Sequence, residues 1–270
     1  MWELKMSRGL FDLTGKVVLA TGANSGIGLG FLQGCAKQGA DVVVWGRRAD
    51  RNAKALEHLR SLGAPRAFAQ EVDVTDEHAV DAAFIEAVKT MGRVDCVFAN
   101  AGFSSRASSF AEMTSQTYHE LINANQHGAF YTLRAAARHM TERANAGDPG
   151  GSIVACGSLS IFHGIPGLEH YAAAKGAVAA MIKSIAAELG PIGVRANMIA
   201  PGFIVSGLME GAPEEMTAGI IKHFASQTPM GRVGDITDIE GPAAYLASDA
   251  SKFHSGDILV IDGATSVRAP

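Results

Sequence analysis

The chain has 270 residues, with 23 Lys and Arg set against 27 Asp and Glu, a net charge of −4 and a pI near 6.1. That balance offers no electrostatic footprint for nucleic acid or an anionic membrane surface. Hydrophobic residues make up 47% of the sequence, enough for a sizeable globular core, and there is no apolar run of the roughly 18 residues that a membrane span needs. The opening stretch MWELKMSRGLF has no apolar segment of signal-peptide length, so a cytoplasmic protein is expected. Cys35, Cys96 and Cys156 lie far apart in apolar segments, which fits reduced core thiols better than disulfides. No His/Cys/Asp cluster has metal-ligand spacing, and no metal is expected.

Along the chain, short β-branched runs alternate with longer amphipathic stretches. KVVLA (16–20) reads as a strand, followed by a helix over 26–38, DVVVW (41–45), a helix over 50–62, a weaker strand at 67–72 and a helix over 76–91. VDCVFA (94–99), a long helix over 114–140, SIVAC (152–156), a helix over 170–189, a weaker strand at 194–199, a helix over 238–248 and ILVI (258–261) complete the pattern. Strands without polar alternation are buried on both faces, which predicts a mostly parallel seven-stranded sheet with helices on both sides. That is a doubly wound α/β fold. No linker or repeat divides it, so residues 1–270 read as a single domain, with 1–11 as an N-terminal extension. NAGDPGGS (145–152) reads as a turn-rich surface loop. Residues 203–226 show no strand pattern and are expected to form a helical lid over a pocket.

VVLATGANSGIGLG joins the first strand to the first helix. Gly22, Gly26 and Gly28 leave room for close backbone approach, and a helix N-terminus favours an anion. The spacing is G-x-x-x-G-x-G, not the dinucleotide G-x-G-x-x-G, but between a first strand and a first helix it predicts a phosphate-binding turn. No G-K-[ST] follows, which argues against a triphosphate P-loop. Further on, HYAAAKGA (170–177) puts Tyr171 and Lys175 on one helix face. Taken alone, that pair fits an ordinary amphipathic helix.

With these motifs in order, the chain resembles the short-chain dehydrogenase/reductase family from about residue 12 to 265. TGANSGIG resembles the family's cofactor turn, implying contacts from Gly22, Asn24, Ser25, Gly26, Ile27 and Gly28. DVTD (73–76) is similar to its adenine-contacting element, through Asp73 and Val74, and NAG to its strand-four motif, through Asn100, Ala101 and Gly102. NQHGAF (125–130) resembles the segment that supplies a catalytic asparagine, here Asn125. Ser158 lies thirteen residues before Tyr171, and Tyr171 with Lys175 satisfies Y-x-x-x-K. APGFIVS (200–206) resembles the stretch after strand six, which implies cofactor contacts from Pro201, Gly202, Ile204 and Ser206, the last standing where the family often has threonine. IDGA (261–264) is similar to the C-terminal strand end. The connection near 145–150 is longer than the family pattern and reads as a surface insertion.

The resemblance implies interconversion of a secondary alcohol and a ketone, with hydride passing to or from a nicotinamide dinucleotide. Tyr171 would exchange the proton on the substrate oxygen. A free tyrosine titrates near ~10, and bringing it to neutral pH requires about 4 kcal/mol. The Lys175 ammonium on the same helix face would favour the phenolate, and by resemblance Lys175 also holds the nicotinamide ribose, so that both residues touch the cofactor. Ser158 would orient the substrate carbonyl or alkoxide, and Asn125 would hold a water in a relay to Lys175. A rival reading, a dinucleotide-binding sensor or scaffold without turnover, would be expected to lack one of these four residues. The substrate is expected to be a small molecule, of either a 3-oxoacyl type or a sugar-acid or polyol type. Phe103, Phe162, Phe203 and Met209 in the pocket-forming stretches favour an apolar one. His163 could line the same pocket, although a loop histidine is more often structural. His127 and His170 read as packing or surface residues and Arg106 as solvated.

Cofactor choice turns on the end of strand two, VVVWGRRADR. In dinucleotide folds an acid there binds the ribose 2′-hydroxyl and selects NAD. Gly46 takes that place, Arg47 and Arg48 follow it, and Asp50 lies too far along to serve. A guanidinium pairs bidentately with a phosphate and stacks on adenine. NADP(H) is therefore expected to be preferred, with Arg47 the stronger contact and NAD(H) possible. Ser25 is not basic, so the family's other NADP-favouring position is unused. By resemblance the chain is expected to form a homotetramer that pairs its two long helices across a two-fold axis.

Overall fold

The structure is a computed structural model describing residues 9–205 and 214–267. Its strands, in chain order, are β1 (Val17–Thr21), β2 (Asp41–Gly46), β3 (Ala67–Glu71), β4 (Cys96–Ala99), β5 (Gly151–Cys156), β6 (Val194–Pro201), β7 (Ile204–Val205), β8 (Gly234–Asp235) and β9 (Ile258–Ile261). The helices are α1 (Gly26–Ala36), α2 (Ala49–Ser61), α3 (Glu77–Met91), α4 (Ser115–Ile122), α5 (Gly128–Asn145), α6 (Glu169–Leu189), α7 (Glu214–Gln227) and α8 (Glu240–Ala247).

Seven strands form one parallel sheet in the order β3-β2-β1-β4-β5-β6-β9. Successive residues of a strand face opposite sides, and β1 distributes its side chains accordingly. Val17 and Leu19 join Trp45, Phe84, Leu133, Met140 and Ile182 under α3, α5 and α6. Val18 and Ala20 join Phe31, Leu32, Leu59, Phe98 and Leu246 under α1, α2 and α8. Every residue of β1, β2 and β4 is buried, which is why these strands read as continuous apolar runs. The fold is thus the doubly wound α/β architecture that the sequence pattern predicts.

Two glycines of α1 draw the second layer close. A Cβ at Gly30 would sit 2.7 Å from the Ile236 carbonyl oxygen, and one at Gly34 would overlap the backbone of Glu240 at the start of α8. Elsewhere the helix ends carry ordinary signals. The Asp76 carboxylate caps α3 by accepting from the Ala79 N–H at 3.1 Å, and Gly92 closes the same helix in the left-handed conformation.

Two expectations are corrected. The long helix over 114–140 is instead α4 and α5 joined by a π-helical turn at Asn123–His127, and α5 continues to Asn145. The stretch 203–226 does contain a strand, β7, which pairs in parallel with β8; α7 follows, and residues 206–213 lie outside the described residues. The connection at 145–150 is tied to the body: Asp148 accepts from Arg143 Nε at 2.8 Å and lies 3.3 Å from an Arg93 guanidinium nitrogen, while the Gly150 N–H donates to Ile192.

Candidate active site

Strand order reverses at β1: β2 and β3 run outward on one side, and β4, β5, β6 and β9 on the other. Ligands of doubly wound sheets bind in the crevice outside the carboxyl ends of the strands at such a switch point. Two cavities lie there, of about 700 Å³ and about 590 Å³, and they share Gly22, Ser25, Gly102 and Phe103 as common wall.

Part of the shared wall is the glycine turn, and the rest is the stretch after β4. Gly22 (φ +60°) and Gly26 (φ +56°) both occupy the left-handed region, which glycine adopts without steric cost. A Cβ at Gly28 would stand 2.5 Å from Asn100 Nδ2 and 2.6 Å from the Gly22 carbonyl oxygen. Gly28 therefore packs its α-carbon closely against the turn and Asn100, where no side chain fits. Thr21, which the motif reading passes over, fixes this arrangement. Its hydroxyl accepts from the backbone N–H groups of Asn100 (3.0 Å) and Ala101 (2.9 Å), while Asn100 Nδ2 donates to the Thr21 carbonyl at 2.9 Å. The turn delivers the N-terminus of α1, with its unsatisfied N–H groups, to the cavity floor.

The larger cavity is lined by Asn24, Gly46, Arg47, Arg48, Asp73, Val74 and Thr75. Arg47 and Arg48 are both exposed. Asp73 accepts from the Thr75 N–H (3.0 Å) and hydroxyl (2.8 Å), and these bonds, the backbone one first, together with the Arg47 charge hold its carboxyl below the ordinary aspartate range. Asn52, absent from the sequence-based site, closes the end of β2. Its Nδ2 donates to the carbonyls of Gly46 (2.9 Å) and Gln70 (3.1 Å), and its Oδ1 accepts from Asn24 Nδ2 at 2.7 Å. A Cβ at Gly46 would overlap the Asn24 amide and sit 2.5 Å from Asn52 Oδ1.

The smaller cavity gathers Asn125, Ser158, Tyr171 and Lys175, together with Ile27, Asn100, Pro201, Gly202 and Ile204. The π-helical turn carries Asn125, which is 1% exposed; its Nδ2 donates to the Phe103 carbonyl at 2.8 Å and to Leu121 at 3.2 Å. Its Oδ1 is buried and meets no protein donor among the described residues. Ser158 follows β5, and its hydroxyl accepts from the Ser160 N–H at 3.2 Å. On α6, the Lys175 side chain is buried, its Nζ donates to the Cys156 carbonyl at 2.8 Å and lies 5.6 Å from the centroid of the Tyr171 ring. That bond uses one of three ammonium donors. Burial pushes the neighbouring Cys156 thiol up, against the opposing charge of Lys175, so it is no nucleophile here.

Several expected residues fall elsewhere. Phe162 and His163 line an outward groove with Ser160, Ile165 and Glu169, and do not line this cavity, because the loop after Ser158 turns them away. His170 is fully buried with Nε2 3.3 Å from the Ser105 hydroxyl, and exposed His127 lies 6.4 Å from the Tyr131 ring. Arg106 is exposed, as expected, and its Nε also donates to the Pro166 carbonyl at 3.0 Å. Ser206 and Met209 lie outside the described residues. Residues of the wall that the motifs do not reveal are Leu159, Leu168, Ile220 and Phe224, the last stacked on Phe203 at 4.1 Å between centroids.

A family model described as enoyl-(acyl carrier protein) reductase matches residues 22–265. The chain belongs to the short-chain dehydrogenase/reductase family. It is thereby an enzyme, an oxidoreductase of NAD(P)-dependent type acting between a CH–OH group and a ketone. Among curated relatives it is 35% identical over 260 residues to a gluconate 5-dehydrogenase of Gluconobacter oxydans, covering 96% of this chain and 97% of the other. It is 36% identical over 247 residues to a 3-oxoacyl-[acyl-carrier-protein] reductase of Mycobacterium avium, covering 91% and 88%. Among solved structures, a gluconate 5-dehydrogenase of Burkholderia cenocepacia in complex with NADP and tartrate superposes with a TM-score of 0.87 at 32% identity, covering 96% and 98%.

Proposed function

We propose that the two cavities form one cleft that holds NADP(H) and a ketone or secondary alcohol, with Tyr171 as the proton donor and acceptor at the substrate oxygen. The residues present suit such a cofactor: the turn at Gly22 and Gly26 gives backbone access to a pyrophosphate, and Arg47 and Arg48 border the larger cavity. When bound, the dinucleotide supplies or accepts the hydride. This chain's own groups do the rest. Lys175, anchored to Cys156, presents its remaining donors towards a ribose and its charge towards the Tyr171 ring, favouring the phenolate. Ser158 holds the substrate oxygen in line with Tyr171. Asn125 offers its unpaired Oδ1 to a water that links the site to Lys175. The α7 segment with Phe203 and Phe224 covers the smaller cavity as a lid.

The observation that carries this reading is the joint placement of Tyr171 and Lys175, with the ammonium fixed at the mouth of β5, in the cavity that shares the glycine turn. Relatives named for sugar acids and for 3-oxoacyl substrates support either substrate type. An initial-rate screen of ketones and secondary alcohols with NADP(H) and NAD(H), followed by nicotinamide absorbance, tests the assignment. Turnover that needs a dinucleotide supports it; none with any carbonyl or alcohol overturns it.

Preference for NADP(H) rests on Arg47 and on Gly46 in place of an acid. A homotetramer is supported by exposed Phe110, Tyr118 and Phe130 around α4 and α5, beside the small exposed residues Ala173 and Ala180 of α6. The three buried free thiols support a reducing, cytoplasmic setting. Among the described residues no helix is long and apolar enough to cross a membrane.

A further inference from the structure

The wall of the smaller cavity has a chemical bias. Leu159, Ile165, Leu168, Phe203, Ile220 and Phe224 line it, and among the described lining residues the one charged side chain is Lys175. That ammonium is buried and already bonded to the Cys156 carbonyl, beneath the Tyr171 ring. An anionic sugar acid entering this space would desolvate its carboxylate without a cation to meet it, which is costly. A polyol would also need convergent donors and acceptors along its length. Of the polar side chains among the described lining residues, Asn125, Ser158, Tyr171 and Lys175 are engaged at the reacting end, Ser25 belongs to the glycine turn and Asn100 is bonded to Thr21 beneath it, which leaves Ser104.

We infer that the substrate is an uncharged carbonyl or secondary alcohol flanked by a hydrocarbon chain, and not a sugar acid, although a relative of this chain is named for gluconate. The inference rests on the oxidoreductase reading above and sharpens it. Bound in this cavity, the hydrocarbon chain replaces water against the six apolar residues, while the carbonyl meets Ser158 and Tyr171. A free ketone and a 3-oxoacyl thioester share this chemistry.

The experiment measures kcat/KM with NADPH for straight-chain methyl ketones from butanone upward, for the same ketones bearing a terminal carboxylate, for a polyhydroxylated keto acid, and for 3-oxoacyl N-acetylcysteamine thioesters of matched length. Each added methylene should raise kcat/KM about fourfold until the wall is filled, and the terminal carboxylate should lower it at least about tenfold by the cost of burying an unpaired charge. Ile220→Ala should flatten the chain-length dependence. Whichever of the ketone and thioester series is faster identifies the source of the chain. A flat series, or a polyhydroxylated keto acid faster than every hydrocarbon ketone and thioester, overturns the inference while leaving the oxidoreductase reading in place. Absence of turnover with every carbonyl removes that reading and the inference with it.

Discussion

Asn52 donates a 2.9 Å hydrogen bond to the carbonyl of Gly46, and its own amide oxygen accepts from Asn24 at 2.7 Å, so a pair of asparagines occupies the space beside the end of β2 where an NAD-selecting acid would stand. A side chain at position 46 would collide with both amides. Gly46→Asp alone is therefore expected to destabilise the protein and weaken both cofactors without producing a clean NAD enzyme. Gly46→Asp combined with Asn24→Ala, which removes the nearer collision and keeps the Asn52 bonds to Gly46 and Gln70, should recover part of that stability and shift preference towards NAD. Arg47→Ala should lower kcat/KM for NADPH by about tenfold or more while sparing NADH, as loss of a charge-assisted phosphate contact implies. Thermal melts and kcat/KM with each cofactor check these outcomes. Equal losses for both cofactors in Arg47→Ala would mean that the arginine does not read the 2′-phosphate.

Lys175→Met should damage catalysis and cofactor binding together. The substitution removes the charge beside Tyr171 and the proposed donor to a ribose, and leaves the Cys156 carbonyl without its Lys175 partner, a loss of about 1–3 kcal/mol for a buried acceptor. We expect kcat to fall at least about a hundredfold, within the range of general acid–base effects, with a weaker NADP Kd by fluorescence titration. An unchanged Kd would separate Lys175 from the cofactor.

His139 sets an acid-side stability limit. Burial first, and then the Arg143 charge, hold its imidazole below the ordinary histidine range, and its Nε2 accepts the Val94 N–H at 3.1 Å, which requires the neutral ring. The unfolded chain takes up the proton near pH ~6.5, before the native state does. The contribution is thus present above that pH and is lost as pH falls from ~6.5 through the depressed native value. Between pH 7 and 5.5, roughly that window, Tm should decline in the wild type and less in His139→Gln, which keeps an acceptor for Val94. Parallel pH profiles would contradict this.

The proposed homotetramer implies an assembly of four chains in solution. Light scattering coupled to size exclusion should give about four times the 28.1 kDa of one chain. A clean monomer at micromolar concentration would refute the assembly and leave Phe110, Tyr118 and Phe130 without a partner.

Much of this architecture is legible in the sequence because its signals are local. Val17–Thr21 and Asp41–Gly46 are buried on both faces, so their apolar runs announce central parallel strands, and Tyr171 and Lys175 share a helix face by spacing alone. Other features depend on tertiary packing. The π-helical turn at Asn123–His127 contains neither glycine nor proline, so no helix-breaking residue marks it in the sequence. Asn52 reads as a polar residue on a surface helix until its bonds to Gly46 and Gln70 bury it. Phe162 and His163 follow the serine motif closely in sequence, yet the short turn at Leu159–Ile161 sends them outward. Thr21 is the last residue of an apolar strand, and only the return of the chain at Asn100 gives its hydroxyl a task.

In the proposed reaction Tyr171 moves the proton while the rest of the cleft holds the dinucleotide. This is tested most directly by a single variant, Tyr171→Phe, which keeps the ring and removes the hydroxyl. Cofactor Kd by fluorescence titration and kcat by nicotinamide absorbance should be measured on the same preparation. We expect Kd within about twofold of wild type and kcat reduced by 10²–10⁴-fold, the usual weight of general acid–base catalysis. A variant that keeps more than about a tenth of the wild-type kcat would contradict the account.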